Sequence, residues 1–254
     1  MAQEIFKRYE IKYLIPFEKY LSLRDKLMEH MKYDSYGTNQ GKYNIVSLYF
    51  DSEDSKIYLE TRNKLRFRQK LRLRIYDQAE LNSNSFFEIK QKFKNVVNKR
   101  RTVIPLHEAY DIIDKPEKDI DFSQYHASNP QILKEAIHFK QLYHLKPELI
   151  VSYDRQAFSG IQESDLRVTF DYNLMCRKQD LRIENGPQGF HFVDPNLVVL
   201  EVKVSEAVPF WLSRLLSEFE CSKQSVSKFC TSVELFNEEK QDTLNQMTKE
   251  MVSK

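Results

Sequence analysis

The stretch from Leu65 to Tyr76, LRFRQKLRLRIY, alternates apolar and cationic residues. A period of two is typical of a β-strand, whose two faces would here be apolar and cationic. The cationic face comprises Arg66, Arg68, Lys70, Arg72 and Arg74. Neighbours about 7 Å apart on one face repel each other, so such a ladder requires anions nearby. The stretch therefore predicts a strand that faces a polyanionic ligand.

The same alternation recurs elsewhere, now with carboxylates in phase. The charged face of a single strand is more often solvated than part of a binding site, so it is the repetition on several strands that indicates binding. The second strand, FFEIKQKFK from Phe86 to Lys94, places Glu88, Lys90, Lys92 and Lys94 on one face. Glu-x-Lys returns as Glu10 with Lys12 and as Glu201 with Lys203. The pattern favours one shared binding surface.

Composition limits the classes of function. The chain has 254 residues, of which 41% are hydrophobic, so it can bury the core of one large β-rich domain. Lys and Arg number 39 against 37 Asp and Glu. Because the chain lacks the large excess of positive charge that is typical of nucleic-acid-binding proteins, we expect no nucleic-acid partner. Only 5 glycines are present, so side chains must hold any phosphate.

The sequence also predicts a cytoplasmic protein that is not inserted in a membrane. It contains no run of about 18 apolar residues, and its start, MAQEIFKRYE, lacks the apolar segment of a signal peptide. Cys176, Cys221 and Cys230 are scattered without zinc-site spacing, and we interpret them as free thiols in a reducing compartment.

Periodicity and breakers divide the chain into strands and helices. The predicted strands are Phe6 to Ile15, Asn44 to Phe50, Leu65 to Tyr76, Phe86 to Lys94, Val97 to Leu106, Pro147 to Phe158, Asp165 to Tyr172, Leu174 to Ile183 and Leu197 to Val204. The predicted helices are Phe17 to Met31, Glu53 to Thr61, segments between His107 and Leu145 around a loop at Asp119 to Asn129, Val208 to Phe219 and Ser225 to Phe236. We expect one domain over residues 1–236 and a polar tail over 237–254.

About eight strands with short connections predict an α+β fold, in which a closed antiparallel β-barrel carries helices on its outside. The charged strand faces would point inward and the apolar faces outward against the helices. This inverts the usual small barrel and requires a wet, ionic lumen.

Carboxylates among cations suggest a metal. Glutamates alone would repel a phosphate chain, but they can hold a divalent ion that bridges phosphate oxygens. The candidates are Glu10, Glu88 and Glu201. The alternative is that each glutamate neutralises lysines on neighbouring strands.

Nine short motifs resemble, in order, the catalytic domain of the vacuolar transporter chaperone family, polyphosphate polymerases of the triphosphate tunnel metalloenzyme superfamily. They are RYEIKY from Arg8, SLYFDS from Ser47, LRLRIY from Leu71, FFEIKQK from Phe86, NKRR from Asn98, YDRQAF from Tyr153, LRVTFD from Leu166, VVLEVKV from Val198 and SKF from Ser227. The resemblance extends from about Phe6 to Leu235.

The resemblance implies a tunnel of eight antiparallel strands that binds ATP and a divalent metal, Mn²⁺ or Mg²⁺, and passes the γ-phosphate to a polyphosphate chain. The catalytic residues that it implies, together with the strand faces, are Arg72, Arg74, Lys90, Arg155 and Arg167. The residues expected to contact phosphate or polyphosphate are Lys12, Lys70, Lys92, Lys99, Arg101, Lys203 and Lys228. Glu201 matches the metal-binding glutamate of the last strand.

Two departures from the family pattern bear on function. The eukaryotic subunits carry a phosphate-sensing domain and membrane helices that this chain lacks, so export of product would need a separate membrane partner. Ser225 stands where some members have a lysine, which suggests lower processivity. The leading expectation is an ATP-polyphosphate phosphotransferase. The alternatives are hydrolysis of inorganic or nucleoside triphosphate, and a polyphosphate-binding module without turnover.

Overall fold

The computed structural model describes residues 5–37, 40–94, 96–224 and 226–238, with backbone only for 5–8 and Glu117. The strands are β1 (Ile5–Pro16), β2 (Met31–Tyr33), β3 (Lys42–Asp51), β4 (Phe67–Tyr76), β5 (Asn84–Phe93), β6 (Val96–Pro105), β7 (Lys146–Gly160), β8 (Arg167–Arg177), β9 (Phe190–His191) and β10 (Leu197–Val204). The α-helices are α1 (Phe17–Leu27), α2 (Lys56–Arg62), α3 (Leu106–Asp114), α4 (Pro130–Leu142), α5 (Phe210–Glu218) and α6 (228–238).

Eight strands form an antiparallel ring in the order β7-β3-β4-β5-β6-β1-β10-β8, and pairing of β7 with β8 joins its ends. The two short strands lie at its margins, β2 beside β7 and β9 beside β8. The predicted α+β fold with an antiparallel barrel is confirmed.

The apolar faces of the strands pack outward against helices. In one cluster, Leu23 and Leu27 of α1 are buried with Val198 and Leu200 of β10. A larger cluster brings α3 and α4 onto the outer face of β3 to β6. The hydrophobic core therefore lies between the barrel and the helices. Each large aliphatic side chain buried there contributes about 1.5–3 kcal/mol of transfer free energy. The charged faces of the strands are thereby directed toward the lumen.

Local signals explain most element ends. Pro16 precedes α1, and Asn129 caps α4 by accepting hydrogen bonds from the backbone N–H groups of Gln131 and Ile132. The helix predicted to begin at Glu53 begins at Lys56.

Three predictions of secondary structure were wrong. Helix α1 ends at Leu27, and Met31, which shares its apolar spacing, begins β2 and pairs with Gly160. The two strands predicted around Asn173 are one strand, β8, because Asn173 adopts a left-handed φ of 52° beside an irregularity in the pairing with β7. The expected loop before Asn129 contains a short 3-10 helix, Phe122–Gln124.

The predicted polar tail lies outside the described residues except for 237 and 238, which continue α6. Ser225 and the side chain of Arg8 also lie outside them. No helix among the described ranges combines the length and apolar character that crossing a bilayer demands.

Candidate functional site

A cavity of about 1530 Å³ runs through the barrel. Its lining follows β4 and the residue before it from Arg66 to Tyr76, and β5 and the residue after it from Phe86 to Lys94. Eight residues of strand span about 26 Å, so the cavity extends through most of the barrel as a tunnel. The cationic ladder that the sequence predicts for β4 faces this lumen, while Leu71, Leu73 and Ile75 are buried on the other face.

The structure brings the predicted site residues together in the cavity wall, with one exception. The lining includes Arg72, Arg74, Lys90, Arg155, Arg167, Lys12, Lys70, Lys92, Lys99, Arg101, Lys203, Lys228, Glu10 and Glu201. Glu88 is fully buried behind this surface.

Cations surround Glu88. Its carboxylate lies 2.5 Å from Arg72 Nε and 3.6 Å from Arg74 Nη1, and it also pairs with Lys99. Burial alone would raise the pKa of Glu88, but Arg72, Lys99 and Arg74 hold it well below its usual range. These contacts favour the pairing alternative for Glu88, since its oxygens are directed at cations of the wall.

Glu201 and Glu10 reach the lumen from neighbouring strands. Glu201 accepts from Lys12 and Lys203, both at 2.8 Å, and Glu10 pairs with Lys90 at 2.6 Å. Burial opposes ionisation, yet Lys90 and other neighbours lower the pKa of Glu10 to about 2. Burial also opposes ionisation of Glu201, yet Lys12 and Lys203 hold its pKa well below its usual range, so both carboxylates are ionised at neutral pH. Because Glu10 pairs with Lys203 and Lys12 with Glu201 in the β1–β10 register, the two carboxylates are diagonal neighbours on one surface.

This pair is compatible with a divalent ion held jointly with a substrate. Within residues 5–37, 40–94, 96–224 and 226–238, no group of three or more His, Cys, Asp or Glu is placed to hold a metal. Mg²⁺ commonly binds one or two carboxylates and completes its shell with water and substrate phosphates. Glu201 and Glu10 fit that mode of binding, whereas an all-protein cage does not match the donor set.

Asp171 is a site residue that sequence reasoning missed. It is fully buried, accepts two hydrogen bonds from Arg155 at 2.5 and 2.7 Å, and pairs with Lys228 at 2.6 Å. Burial would raise its pKa, but Arg155 and Lys228 lower it to about 2. The signal was present, since Arg167 and Asp171 share a strand face at period two. Asp171 thus orients an arginine of β7 and a lysine of α6 together.

Three lumen tyrosines were also missed. Tyr49 and Tyr153 are both buried. Their hydroxyls nevertheless accept hydrogen bonds from Arg72 at 3.0 Å and Arg74 at 3.3 Å, while Tyr43 accepts from Arg167 at 2.9 Å. A neutral hydroxyl fixes the direction of a guanidinium without cancelling its charge.

Lys70 differs from the paired cations. It donates to Ser227 Oγ at 3.1 Å, and in the described part of the chain it has no ion pair with a carboxylate. Burial, together with nearby lysines, lowers its pKa from 10.5 to about 8. A half-buried cation without a carboxylate partner among the described residues is a ready contact for an anionic ligand.

The segment 226–229 crosses the lumen between distant strands. Lys12 of β1 donates to the Val226 carbonyl at 3.0 Å, Lys70 of β4 contacts Ser227, and Lys228 contacts Asp171 of β8. Phe229 stacks on Tyr49 with ring centroids 5.2 Å apart. The start of α6 therefore narrows the tunnel.

The two ends of the tunnel differ in chemistry. The aromatic mouth is formed by Tyr43, Tyr76 and Phe86, and the basic mouth by Arg66, Arg68, Lys92 and Lys94. Tyr76 lies ten residues from Arg66 along the chain, which separates the mouths by about 33 Å of extended backbone.

Comparison with known proteins is consistent with this architecture. An adenylyl cyclase candidate from Hippeastrum, HpAC1, whose dominant activity is that of a triphosphatase, has 14% sequence identity and a TM-score of 0.51, with 91% of this chain and 96% of that chain covered. The PH1819 protein from Pyrococcus horikoshii OT3 has 12% identity and a TM-score of 0.45, with 91% and 99% covered. At 14% identity, the similarity to HpAC1 establishes the fold alone. No curated protein sequence matches the chain significantly.

A family model defines the relationship. The VTC domain model matches residues 7–237, nearly the whole chain and all ten strands but for the first residues of β1. With a closed antiparallel barrel and a cation-lined tunnel through it, this protein has the triphosphate tunnel fold and belongs to the VTC domain family.

Proposed function

We propose that this protein is a metal-dependent ATP-polyphosphate phosphotransferase, in which the γ-phosphate of ATP is transferred to a polyphosphate chain inside the tunnel. The observation that carries the proposal is the cationic cavity that follows the strands from the aromatic mouth to the basic mouth. A cavity of this length has room for a donor triphosphate and a linear acceptor at the same time.

The arginines of the wall suit phosphoryl transfer. This reaction requires mainly positioning and stabilisation of charge, and little covalent chemistry from side chains. Arg72 is held by Glu88 and Tyr49, and Arg155 by Asp171, so both guanidinium groups are oriented before a ligand binds. Fixed donors of this kind lose little entropy on binding phosphate oxygens.

Glu201 and Glu10 would hold the divalent ion, which would supply a bridge between phosphate oxygens and neutralise developing charge. The lysines paired with these carboxylates, Lys12, Lys203 and Lys90, would keep them ionised and oriented.

The acceptor chain would occupy the half of the tunnel that leads to the basic mouth. Lys70 lies on β4 between this mouth and the arginines Arg72 and Arg74. A polyphosphate chain would supply the anions that Lys70 lacks within the described residues. We place the reaction in the cytoplasm, where ATP is supplied, and expect export of product to require a separate membrane protein.

A second candidate is hydrolysis of inorganic or nucleoside triphosphate. Segment 226–229 favours it, because this segment lies across the lumen and shortens the unobstructed path, and a single triphosphate needs less length than a growing chain. A third candidate, a polyphosphate-binding module without turnover, would use the same cations.

One incubation separates these functions. Purified protein is given γ-labelled ATP and Mn²⁺, with and without a short polyphosphate primer, and the products are resolved by gel and phosphate assay. Long labelled chains are expected. Free labelled phosphate alone would indicate the hydrolase, and unchanged ATP despite tight polyphosphate binding would indicate the binding module.

A further inference from the structure

The aromatic mouth contains two half-buried rings, Tyr76 and Phe86, that line the lumen beside Arg74. Tyr76 ends β4 two residues after Arg74, and Phe86 lies opposite Arg74 in the β4–β5 register. Both rings are half-buried, and they meet edge to face with centroids 5.2 Å apart. Tyr43 joins them at 5.8 Å from Tyr76.

Cations frame these rings. The guanidinium of Arg101 lies 5.2 Å from the Phe86 centroid, and that of Arg74 lies 5.9 Å from the Tyr76 centroid. Arg74 in turn donates hydrogen bonds to Ser47 and Tyr153, which fix the orientation of its guanidinium. A flat, electron-rich group is therefore placed directly next to donors suited to phosphate oxygens.

The basic mouth has a different composition. On β4, β5 and the residues that flank them, its lumen side chains are the cations Arg66, Arg68, Lys92 and Lys94, and the nearby aromatic side chain of Phe93 belongs to the opposite strand face. Inorganic polyphosphate has no group that would use an aromatic ring, whereas a nucleoside triphosphate carries a base at one end. The asymmetry of the tunnel matches the asymmetry of a nucleotide.

We propose that Tyr76 and Phe86 form a nucleobase-stacking site at the aromatic mouth, which receives the base of a nucleoside triphosphate whose phosphates extend inward along Arg74. The inference deepens the proposed function by assigning the orientation of the donor. Stacking on a ring face tolerates any base, so the site recognises nucleoside triphosphates as a class.

The site predicts an affinity difference between two probes. ATP contains both the base and the triphosphate, and inorganic tripolyphosphate contains only the latter. Titration calorimetry in EDTA, which withholds the metal that turnover requires, measures both dissociation constants on the full chain. In Phe86→Ala and Tyr76→Ala, the dissociation constant for ATP should rise about tenfold or more, since a base-aromatic stack contributes on the order of 1–3 kcal/mol. The constant for tripolyphosphate should change less than about twofold.

Phe93→Ala is the matched control, because Phe93 lies on the same strand at the opposite mouth and is 52% exposed. It should alter neither constant. The variants Phe86→Leu and Tyr76→Leu control for misfolding, because leucine keeps apolar volume but has no ring face. They should show the same selective loss of ATP affinity as the alanine variants. Unchanged ATP affinity, or equal weakening of both ligands, would overturn the stacking site.

The result is independent of turnover. Ring-dependent ATP binding by a protein that makes neither polyphosphate nor phosphate would sustain the stacking site and refute the proposed function. Polyphosphate synthesis by a protein whose ATP binding does not depend on the two rings would support the proposed function and refute the stacking site.

Discussion

Tyr49 and Arg72 are register partners on adjacent strands, and the Tyr49 hydroxyl accepts a hydrogen bond of 3.0 Å from Arg72 Nη1. Arg72 also donates through Nε to Glu88 at 2.5 Å. These contacts hold the guanidinium from two sides, while its other N–H groups make no further hydrogen bond among the described residues. They are thus available to a phosphate.

Tyr49→Phe should lower kcat/KM for ATP about tenfold, because a hydrogen bond to a charged group is lost while the ring that stacks on Phe229 remains. The thermal midpoint should stay nearly constant. Steady-state kinetics make the measurement, and Tyr20→Phe, which removes a buried hydroxyl bonded to Gln156, is the control. If Tyr49 acts through Arg72, its substitution should have no effect in an Arg72→Ala background.

Glu201→Gln should abolish metal-dependent turnover and leave polyphosphate binding largely intact. The amide keeps the shape of the side chain but removes the charge that a divalent ion needs. Labelled ATP turnover and polyphosphate titration measure the two properties separately. Turnover equal to that of the wild type would refute the metal role of Glu201.

Asp171→Asn should lower the free energy of unfolding by about 3–5 kcal/mol, because it leaves Arg155 and Lys228 buried without their carboxylate. Urea denaturation at neutral pH gives the value. Asp25→Asn breaks an exposed pair with Arg24 and should cost less than about 1 kcal/mol. Similar losses in both variants would contradict the burial argument.

Tripolyphosphate affinity should fall as pH rises through about 8. Burial lowers the pKa of Lys70 and of Lys203 to about 8, so both lose positive charge in this range. Arg72, Arg74 and Lys70 outweigh burial and lower the pKa of Tyr49 to about 8, which adds negative charge in the same range. Titrations between pH 7 and 9 check the direction. Lys70→Arg should flatten the profile, because arginine stays charged.

The stability of the free protein should change in the opposite direction. Because the pKa of Lys70 is lower in the folded state than its ordinary 10.5, the unfolded chain binds more protons between pH 8 and 10.5, and stability rises with pH there. Lys70→Met should therefore raise the free energy of unfolding at pH 7 by on the order of 1–2 kcal/mol, while it weakens anion binding. Denaturant curves at pH 7 and 10 test this; lower stability of Lys70→Met at pH 7 would contradict it.

The alternation of β4 and β5 was sufficient to predict which side chains face the lumen. Strand parity is a local property, so Lys70 and Lys90 could be assigned to one surface from sequence alone. Partners across the barrel are not local. Glu88 could be counted as a metal ligand from its sequence pattern, and only the fold shows that Arg72 and Lys99 enclose it.

Errors arose where tertiary pairing overrode local spacing. Met31 continues the helical spacing of the apolar residues in α1. The three residues that begin at Met31 nevertheless form β2 and pair with the C-terminal end of β7. Asn173 interrupts alternation in β8 without ending the strand, because a left-handed residue can be absorbed as an irregularity. Tyr49 was missed because its partner lies on another strand: its hydroxyl accepts a hydrogen bond from Arg72, which no local pattern reveals.

The position of β1 has a consequence for how the chain folds. Residues Tyr9 to Pro16 pair with β10, so Tyr9 meets Val204 across nearly the whole sequence. During synthesis the first strand emerges long before its partner, and the barrel cannot close until β10 has left the ribosome. Closure of so long a loop gives a high contact order and slow folding. Until then the edges of β1 and β8 that pair with β10 in the finished barrel have no strand partner.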